Sequence, residues 1–138
     1  MKLVLDANVF ISAFYWGGNS QKIINRISVG QDELYISNEI LNEVAAVMAR
    51  PKFRTDPEII ERYIRTIEKI GKKVFITGIV KGICMDSDDD DKIECGILSD
   101  SDYIITGDND LLILENFQQI KIITINDFMK IISSANSV

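Results

Sequence analysis

Short apolar runs alternate along the chain with longer segments that have helical spacing. The runs at 2–6, 34–36, 74–76, 103–106 and 120–124 are bounded by polar residues and predict buried β-strands. In segments between them, apolar residues recur at the spacing of one helix face. This alternation predicts right-handed βαβ units. We therefore expect a three-layer α/β/α, Rossmann-like fold with a mainly parallel central sheet.

Capping residues mark where the helices begin and end. A Ser, Thr, Asp or Asn side chain at a helix start can accept a hydrogen bond from a backbone N–H of the first turn, whereas Gly or Pro ends a helix. The predicted starts are Asn19 or Ser20, Ser37, Thr55, Asp89 or Asp90, and Asn126. The predicted ends are Gly30, Ala49 and Gly71.

The composition is typical of one globular domain spanning residues 1–138. Hydrophobic residues make up 46% of the chain and charged residues 26%, as in ordinary soluble proteins. No apolar stretch has the ~20 residues of a membrane span, and the N-terminus lacks the features of a signal peptide. We expect a cytoplasmic location without membrane association, where Cys84 and Cys95 stay free thiols in the core.

The chain contains no histidine. This absence excludes the Ser-His-Asp and Cys-His mechanisms, His-ligated zinc hydrolases and any histidine general base. Any hydrolytic chemistry must therefore come from carboxylates or from water bound to a metal ion.

Charge is segregated along the chain, although the net charge is only −6. Residues 50–73 carry eight basic and four acidic residues, a local balance of +4 that suits contact with phosphates. Residues 86–110 carry ten acidic residues against Lys92, a local balance of −9. Isolated charge runs are usually solvated surfaces. The acidic run can form a binding site only if the fold brings its acids together.

Acidic residues follow two predicted strands that we expect to be neighbours. Asp6 and Asp108 stand at or just beyond the carboxyl ends of these strands, where open α/β sheets bind their ligands. Helical geometry puts Glu43 at the edge of the buried face of its helix and turns Glu39 toward water. Glu43 can therefore reach the same crevice.

The Asp-rich run adds a further carboxylate to this crevice. Asp89 and Asp90 both lie on the side of Ile93 and Ile97, so periodicity does not separate them. Helix capping explains one acid here, but not five aspartates in six consecutive positions. Converging carboxylates repel each other unless a cation neutralises them. Ligands that are all oxygen favour Mg²⁺ or Mn²⁺, which can lower the pKa of a bound water.

Four sequence blocks stand in the order and spacing of one known family. They are LVLDANVFIS at 3–12, SNEILNEVAAVMARPKF at 37–53, DSDDDDK at 86–92 and DYIITGDNDLL at 102–112. On these blocks, the sequence resembles the PIN-domain ribonucleases, and the resemblance covers nearly the whole chain. The resemblance is to the small prokaryotic, VapC-like toxins of toxin–antitoxin pairs in particular.

This resemblance implies an endoribonuclease that hydrolyses single-stranded RNA with Mg²⁺ or Mn²⁺. The implied catalytic and metal-binding acids are Asp6, Glu43, Asp89 and Asp108, with Asp90 as an alternative third metal ligand. Asn8, Thr106 and Asp110 match positions that orient or extend the metal site. The family also implies an antitoxin partner and a homodimer.

The basic segment is the expected contact for the RNA backbone. The residues that we expect to bind RNA are Arg50, Lys52, Arg54, Arg62 and Arg65. The alternative is that they form the solvated face of an amphipathic helix.

Two other functions compete with the nuclease hypothesis. A haloacid-dehalogenase-type phosphatase also places an Asp after its first strand, but its second Asp is here Asn8, and its G-D-x-x-x-D pattern fails at Leu112. A catalytically inactive domain that binds RNA or protein is the second alternative. Loss of one or more acids is its signature, and all four are present.

Overall fold

The computed structural model describes residues 1–136 and forms a mostly parallel sheet between helices. The strands are β1 Lys2–Leu5, β2 Glu33–Ile36, β3 Gly71–Lys73, β4 Tyr103–Ile105, β5 Asn116–Phe117 and β6 Ile120–Ile123. The helices are α1 Ala7–Tyr15, α2 Gly18–Ser28, α3 Asn38–Met48, α4 Pro57–Ile70, α5 Ser87–Ser99, α6 Asn109–Leu112 and α7 Ile125–Asn136. A short 3-10 turn, Pro51–Phe53, separates α3 from α4.

The sheet order is β3-β2-β1-β4-β6-β5, and every pairing is parallel except that of β5 with β6. This confirms the predicted α/β class and the mainly parallel sheet. In the register of the central pair, Leu5 lies opposite Ile105. The residues that follow these two strands, Asp6 and Thr106, therefore emerge side by side. Strand order reverses between β1 and β4, which is where sheets of this kind bind ligands.

Helices cover both faces of the sheet, so its central strands are buried. Leu3, Val4 and Leu5 of β1 are fully buried. Right-handed crossovers place α1 to α4 on one face and α5 on the other, where α5 contacts β1, β2 and β4. A Cβ at Gly96 of α5 would lie 3.1 Å from Cδ1 of Ile120, so the absence of a side chain permits close packing of α5 on the sheet.

Helix α1 is absent from the sequence prediction. It begins directly after Asp6, which occupies the N-cap position without using its side chain as a cap. Its buried residues are Ala7, Val9, Phe10, Ile11 and Ala13. Apart from Asn8, Ser12 and Tyr15 the helix is apolar, so its polar face is too narrow to be recognised as that of an amphipathic helix.

The third strand was predicted at 74–76, and this is wrong. Helix α4 ends at Ile70, and β3 begins at once at Gly71, paired with Leu34 of β2. As an edge strand with exposed Lys72 and Lys73, β3 needs no apolar run. The apolar residues of 74–76 instead begin the loop 74–86. The antiparallel edge strand β5 and the short helix α6 are likewise not predicted.

Helix starts deviate by one to three residues from the prediction, apart from Ser37, which caps α3 as predicted. The N-cap of α4 is Asp56 and not Thr55, and that of α5 is Asp86. At α7, the Thr124 hydroxyl accepts from the Asp127 N–H at 3.1 Å. Thr124 thus takes the role predicted for Asn126.

Both cysteines are free, as expected, with Cys95 buried and Cys84 half-buried. Among residues 1–136, no helix combines the length and apolar character needed to cross a membrane.

Candidate active site

Asp6 lies at the centre of the carboxyl edge of the sheet and is only 1% exposed. The Thr106 hydroxyl, which follows β4, donates to Asp6 Oδ2 at 2.6 Å. The same hydroxyl accepts from the backbone N–H of Asp108 at 3.0 Å. One threonine therefore fixes the orientation of Asp6 and the turn that carries Asp108.

The other oxygen of Asp6 is incompletely satisfied. Within the described part of the chain, Asp6 Oδ1 is the buried side-chain oxygen or nitrogen that has no hydrogen bond of acceptable geometry. The ammonium of Lys92 is close to it, at 2.9 Å, and forms an ion pair. Asp6 Oδ1 is therefore held by the Lys92 ammonium, which is itself 3% exposed.

Lys92 connects three of the acids from different elements. Its Nζ lies 2.9 Å from Asp6 Oδ1, 3.2 Å from Glu43 Oε2 and 3.2 Å from Asp89 Oδ1. Glu43 reaches this point from the half-buried edge of α3, where helical geometry predicts it. Asp89 belongs to the first turn of α5 and is 3% exposed.

Asp108 and Asp110 line the other side of Asp89. Asp108 caps α6, and its Oδ1 accepts from the Asp110 N–H at 2.9 Å. One carboxylate oxygen from each of Asp89, Asp108 and Asp110 lies within 4.8 Å of the other two. Asp89 is buried, Asp108 half-buried and Asp110 exposed, so this group opens toward solvent.

Burial and charge shift the pKa values of two groups in the cluster. Burial raises the pKa of Asp89 to about 6; the Lys92 ammonium opposes this, and the charges of Asp108 and Asp6 add to it. Burial by itself lowers the pKa of Lys92, but Asp6, Glu43 and Asp89 together raise it above its usual value. Lys92 is therefore a permanent cation at neutral pH.

Asp90 is buried beside Asp89 but points away from the cluster. Its Oδ2 accepts from Gly82 N–H at 3.0 Å, and its Oδ1 accepts from Cys84 N–H at 2.7 Å. Both oxygens hold the loop 74–86. Glu94, one turn further along α5, holds the start of that loop by accepting from the N–H groups of Thr77 and Val80.

Comparisons with known proteins identify the family of this chain and a structure of similar fold. The profile of the PIN domain matches residues 2–110. The chain belongs to the PIN-domain family. A search of curated proteins finds no match. The fold is similar to a chain in the crystal structure of VapBC2 from Rickettsia felis bound to a DNA fragment from their promoter. That similarity has a TM-score of 0.65 at 12% identity and covers 90% of this chain and 98% of the other.

PIN domains are generally nucleases that use divalent metals, and the donor set of this PIN domain fits a hard divalent ion. The clustered side chains offer only carboxylate oxygens, the ligands that Mg²⁺ and Mn²⁺ prefer. The open group of Asp89, Asp108 and Asp110 has a spacing suited to sharing one ion.

The other predicted site residues of this PIN domain are exposed on α1, on α4 and around the turn that follows α3. Asn8 is exposed in the first turn of α1. Arg50, Lys52 and Arg54 are exposed on and beside the 3-10 turn that follows α3. Arg62 and Arg65 are exposed on α4, where they line a small pocket together with Glu58 and Glu61.

A pocket of about 420 Å³ opens between α3 and α5 beside the cluster. Its charged lining residues are Glu39, Glu43, Asp88, Asp91 and Lys92. The pocket of this PIN domain is therefore strongly acidic, and its entrance repels phosphates unless cations are bound.

Lys92 is the residue that the sequence prediction missed, since it was considered only as an opposing charge. A signal for it exists in the sequence. Lys92 follows Asp89 by three positions, so both side chains lie on one face of α5. A lysine at this spacing from a buried acid indicates an ion pair within the site.

Proposed function

We propose that this PIN domain is a metal-dependent endoribonuclease that hydrolyses phosphodiester bonds of single-stranded RNA. The observation that carries the proposal is the convergence of Asp6, Glu43, Asp89 and Asp108 at one edge of the sheet. These acids come from the end of β1, from α3, from α5 and from the turn after β4. Packing alone gives no reason to gather so many carboxylates.

Asp89, Asp108 and Asp110 are the proposed ligands of Mg²⁺ or Mn²⁺, with Asp6 contributing to the same charge field. When bound, the ion lowers the pKa of a coordinated water and stabilises charge on the phosphate under attack. Thr106 holds Asp6 through Oδ2, and the Lys92 ammonium contacts Oδ1. The residues thus supply a fixed, negatively charged cradle.

RNA binding falls to the exposed basic residues, because the net charge of −6 works against bulk attraction of a nucleic acid. We propose Arg50, Lys52 and Arg54 as the main phosphate contacts, since all are exposed close to the end of α3, the helix that carries Glu43. Arg65 pairs with Glu61, so its charge is partly neutralised. Arg62 and Arg65 are therefore the weaker contacts.

We further propose that the protein is the toxin of a toxin–antitoxin pair. The support is the fold shared with a chain of VapBC2, whose crystal structure contains both proteins of that complex and promoter DNA. An antitoxin partner follows from this role. The expected homodimer stays a prediction.

The geometry argues against the phosphatase alternative. A nucleophilic aspartate must reach a phosphorus atom, but Asp6 is 1% exposed and held by Thr106 and Lys92. The inactive-module alternative predicts RNA binding without turnover at any metal concentration.

The test is cleavage of end-labelled single-stranded RNA by the purified chain. We expect cleavage with Mg²⁺ or Mn²⁺ and none with a chelator. Asp6→Asn should lower the rate by about 100-fold or more, the range found when one preorganised electrostatic group is removed. Asp100→Asn is the matched control, because Asp100 is exposed at the C-cap of α5. This variant should cleave RNA at the rate of the parent. Equal rates for Asp6→Asn and the parent would overturn the proposal.

A further inference from the structure

The ammonium of Lys92 lies among carboxylates of the acidic cluster, in a position where a cation would bind. It contacts Asp6, Glu43 and Asp89 at 2.9 to 3.2 Å, and the residue is 3% exposed. A charge buried this deeply is stable only when it is paired, and each of the three contacts is with a carboxylate. Lys92 is thus built into the site and is not a surface residue that happens to lie near it.

The cluster therefore has two halves that share Asp89. One half consists of Asp6, Glu43 and Asp89, which surround the Lys92 ammonium. The other half consists of Asp89, Asp108 and Asp110, whose oxygens lie within 4.8 Å of one another and open toward solvent. No ion pair is found for Asp108 or Asp110 among the described residues.

We propose that Lys92 permanently fills one of two cation positions in this nuclease site, so that the chain binds a single divalent ion at Asp89, Asp108 and Asp110. This inference rests on the proposed function and specifies how its site works. Nucleases that use two metals hold the ions about 3.5–4 Å apart and so need both halves of such a cluster. In this chain the Lys92 ammonium occupies the first half and offsets part of the negative charge of its three carboxylates.

The surroundings of Lys92 favour an ammonium that stays in place. Its backbone belongs to α5, which packs against β1, β2 and β4. If the Lys92 side chain moved away from Asp6, it would lose its contacts with three carboxylates and enter the acidic pocket lined by Glu39 and Asp91. Thr106 also fixes Asp6 from the opposite oxygen, so the carboxylate cannot follow a departing ammonium.

The experiment counts Mn²⁺ ions bound to the full chain by titration calorimetry and by electron paramagnetic resonance. We expect one Mn²⁺ per chain in the parent, with the spectrum of an isolated ion. Lys92→Met removes the charge at similar side-chain length and should bind two Mn²⁺ with a spin-coupled spectrum. Lys92→Arg keeps the charge, and Lys22→Met is the control on an exposed lysine; both should bind one ion.

Two coupled ions in the parent would overturn the inference, and so would a single ion in Lys92→Met with the parent's affinity. If Lys92→Met does not fold, the parent count decides: one isolated ion supports the inference, and two contradict it. The outcomes also separate this inference from the proposed function. A parent that binds two ions and cleaves RNA contradicts only the role of Lys92, whereas a parent that binds no Mn²⁺ and cleaves nothing contradicts both.

Discussion

At the residue scale, the adjacent carboxylates of Asp89 and Asp90 have different tasks. Both are nearly fully buried. Asp89 faces Lys92 and Asp108, and its pKa rises to about 6 because burial outweighs the attraction of the ammonium. Asp90 accepts two backbone N–H groups of the loop 74–86 instead. Of these two residues, Asp89 is therefore the one that we propose as a metal ligand.

The raised pKa of Asp89 predicts that metal affinity depends on pH. A carboxylate ligand must lose its proton before it binds a metal, so protons compete with Mn²⁺ as the pH falls through about 6. We expect a constant affinity well above this pH and a loss approaching about tenfold per pH unit below it. Calorimetric titration across this range measures the effect. An affinity that stays flat down to the pKa of an ordinary aspartate, about 4, contradicts it.

At the element scale, α5 combines a site residue with the anchors of a loop. The loop 74–86 exposes Phe75, Ile79 and Met85. It is held by Asp90 and by the fully buried Glu94. Burial raises the pKa of Glu94, but the N–H groups of Thr77 and Val80 outweigh it and bring the pKa below its usual value. Glu94 is thus a charged anchor inside the fold.

Glu94→Ala should loosen this loop and lower the stability of the whole chain. The substitution leaves the N–H groups of Thr77 and Val80 without their acceptor, and loss of charged hydrogen bonds costs about 3 kcal/mol. Chemical denaturation measures the loss, and faster hydrogen exchange at Thr77 locates it. Asp88→Ala is the control, because Asp88 is exposed on the same helix. If both variants are equally stable, Glu94 does not anchor the loop.

The turn after α3 allows a second element-scale prediction, about RNA binding. Replacing Arg50, Lys52 and Arg54 by Ala should weaken binding and reduce the dependence of log K on log salt by about 2, at about 0.7 per lost phosphate contact. The comparison variant is Arg62→Ala with Arg65→Ala, whose charges are near Glu58 and Glu61. Two full phosphate contacts would reduce the dependence by about 1.4, and we expect this variant to reduce it by less than that. If the α4 variant reduces the salt dependence more than the variant of the turn does, the RNA binds to α4 instead.

Elements were predictable from the sequence where they carry a pattern of their own. Helix α3 has a capping serine and an apolar stripe, and its geometry placed Glu43 at the buried edge. Strand β3 has no such pattern, since an edge strand is held by backbone pairing with β2. Asp89 and Asp90 could not be separated either, because what separates them is a loop that approaches from outside the helix.

At the scale of the whole molecule, the sheet brings together residues that are far apart in sequence. Asp6 and Thr106 are 100 positions apart and share a hydrogen bond, because β1 and β4 are neighbours in the sheet. The alternation of strands and helices was sufficient to predict that Asp6 and Asp108 follow neighbouring strands at one edge of the sheet. The position of the Lys92 ammonium was not predictable in the same way, because it depends on the distances among three elements.

The measurement that tests the account most directly is the anomalous scattering of Mn²⁺ in crystals of the chain. We predict a peak among the carboxylates of Asp89, Asp108 and Asp110 and none at Asp90. Manganese found only in the pocket lined by Glu39 and Asp91, or in no part of the acidic edge at saturating concentration, contradicts the account.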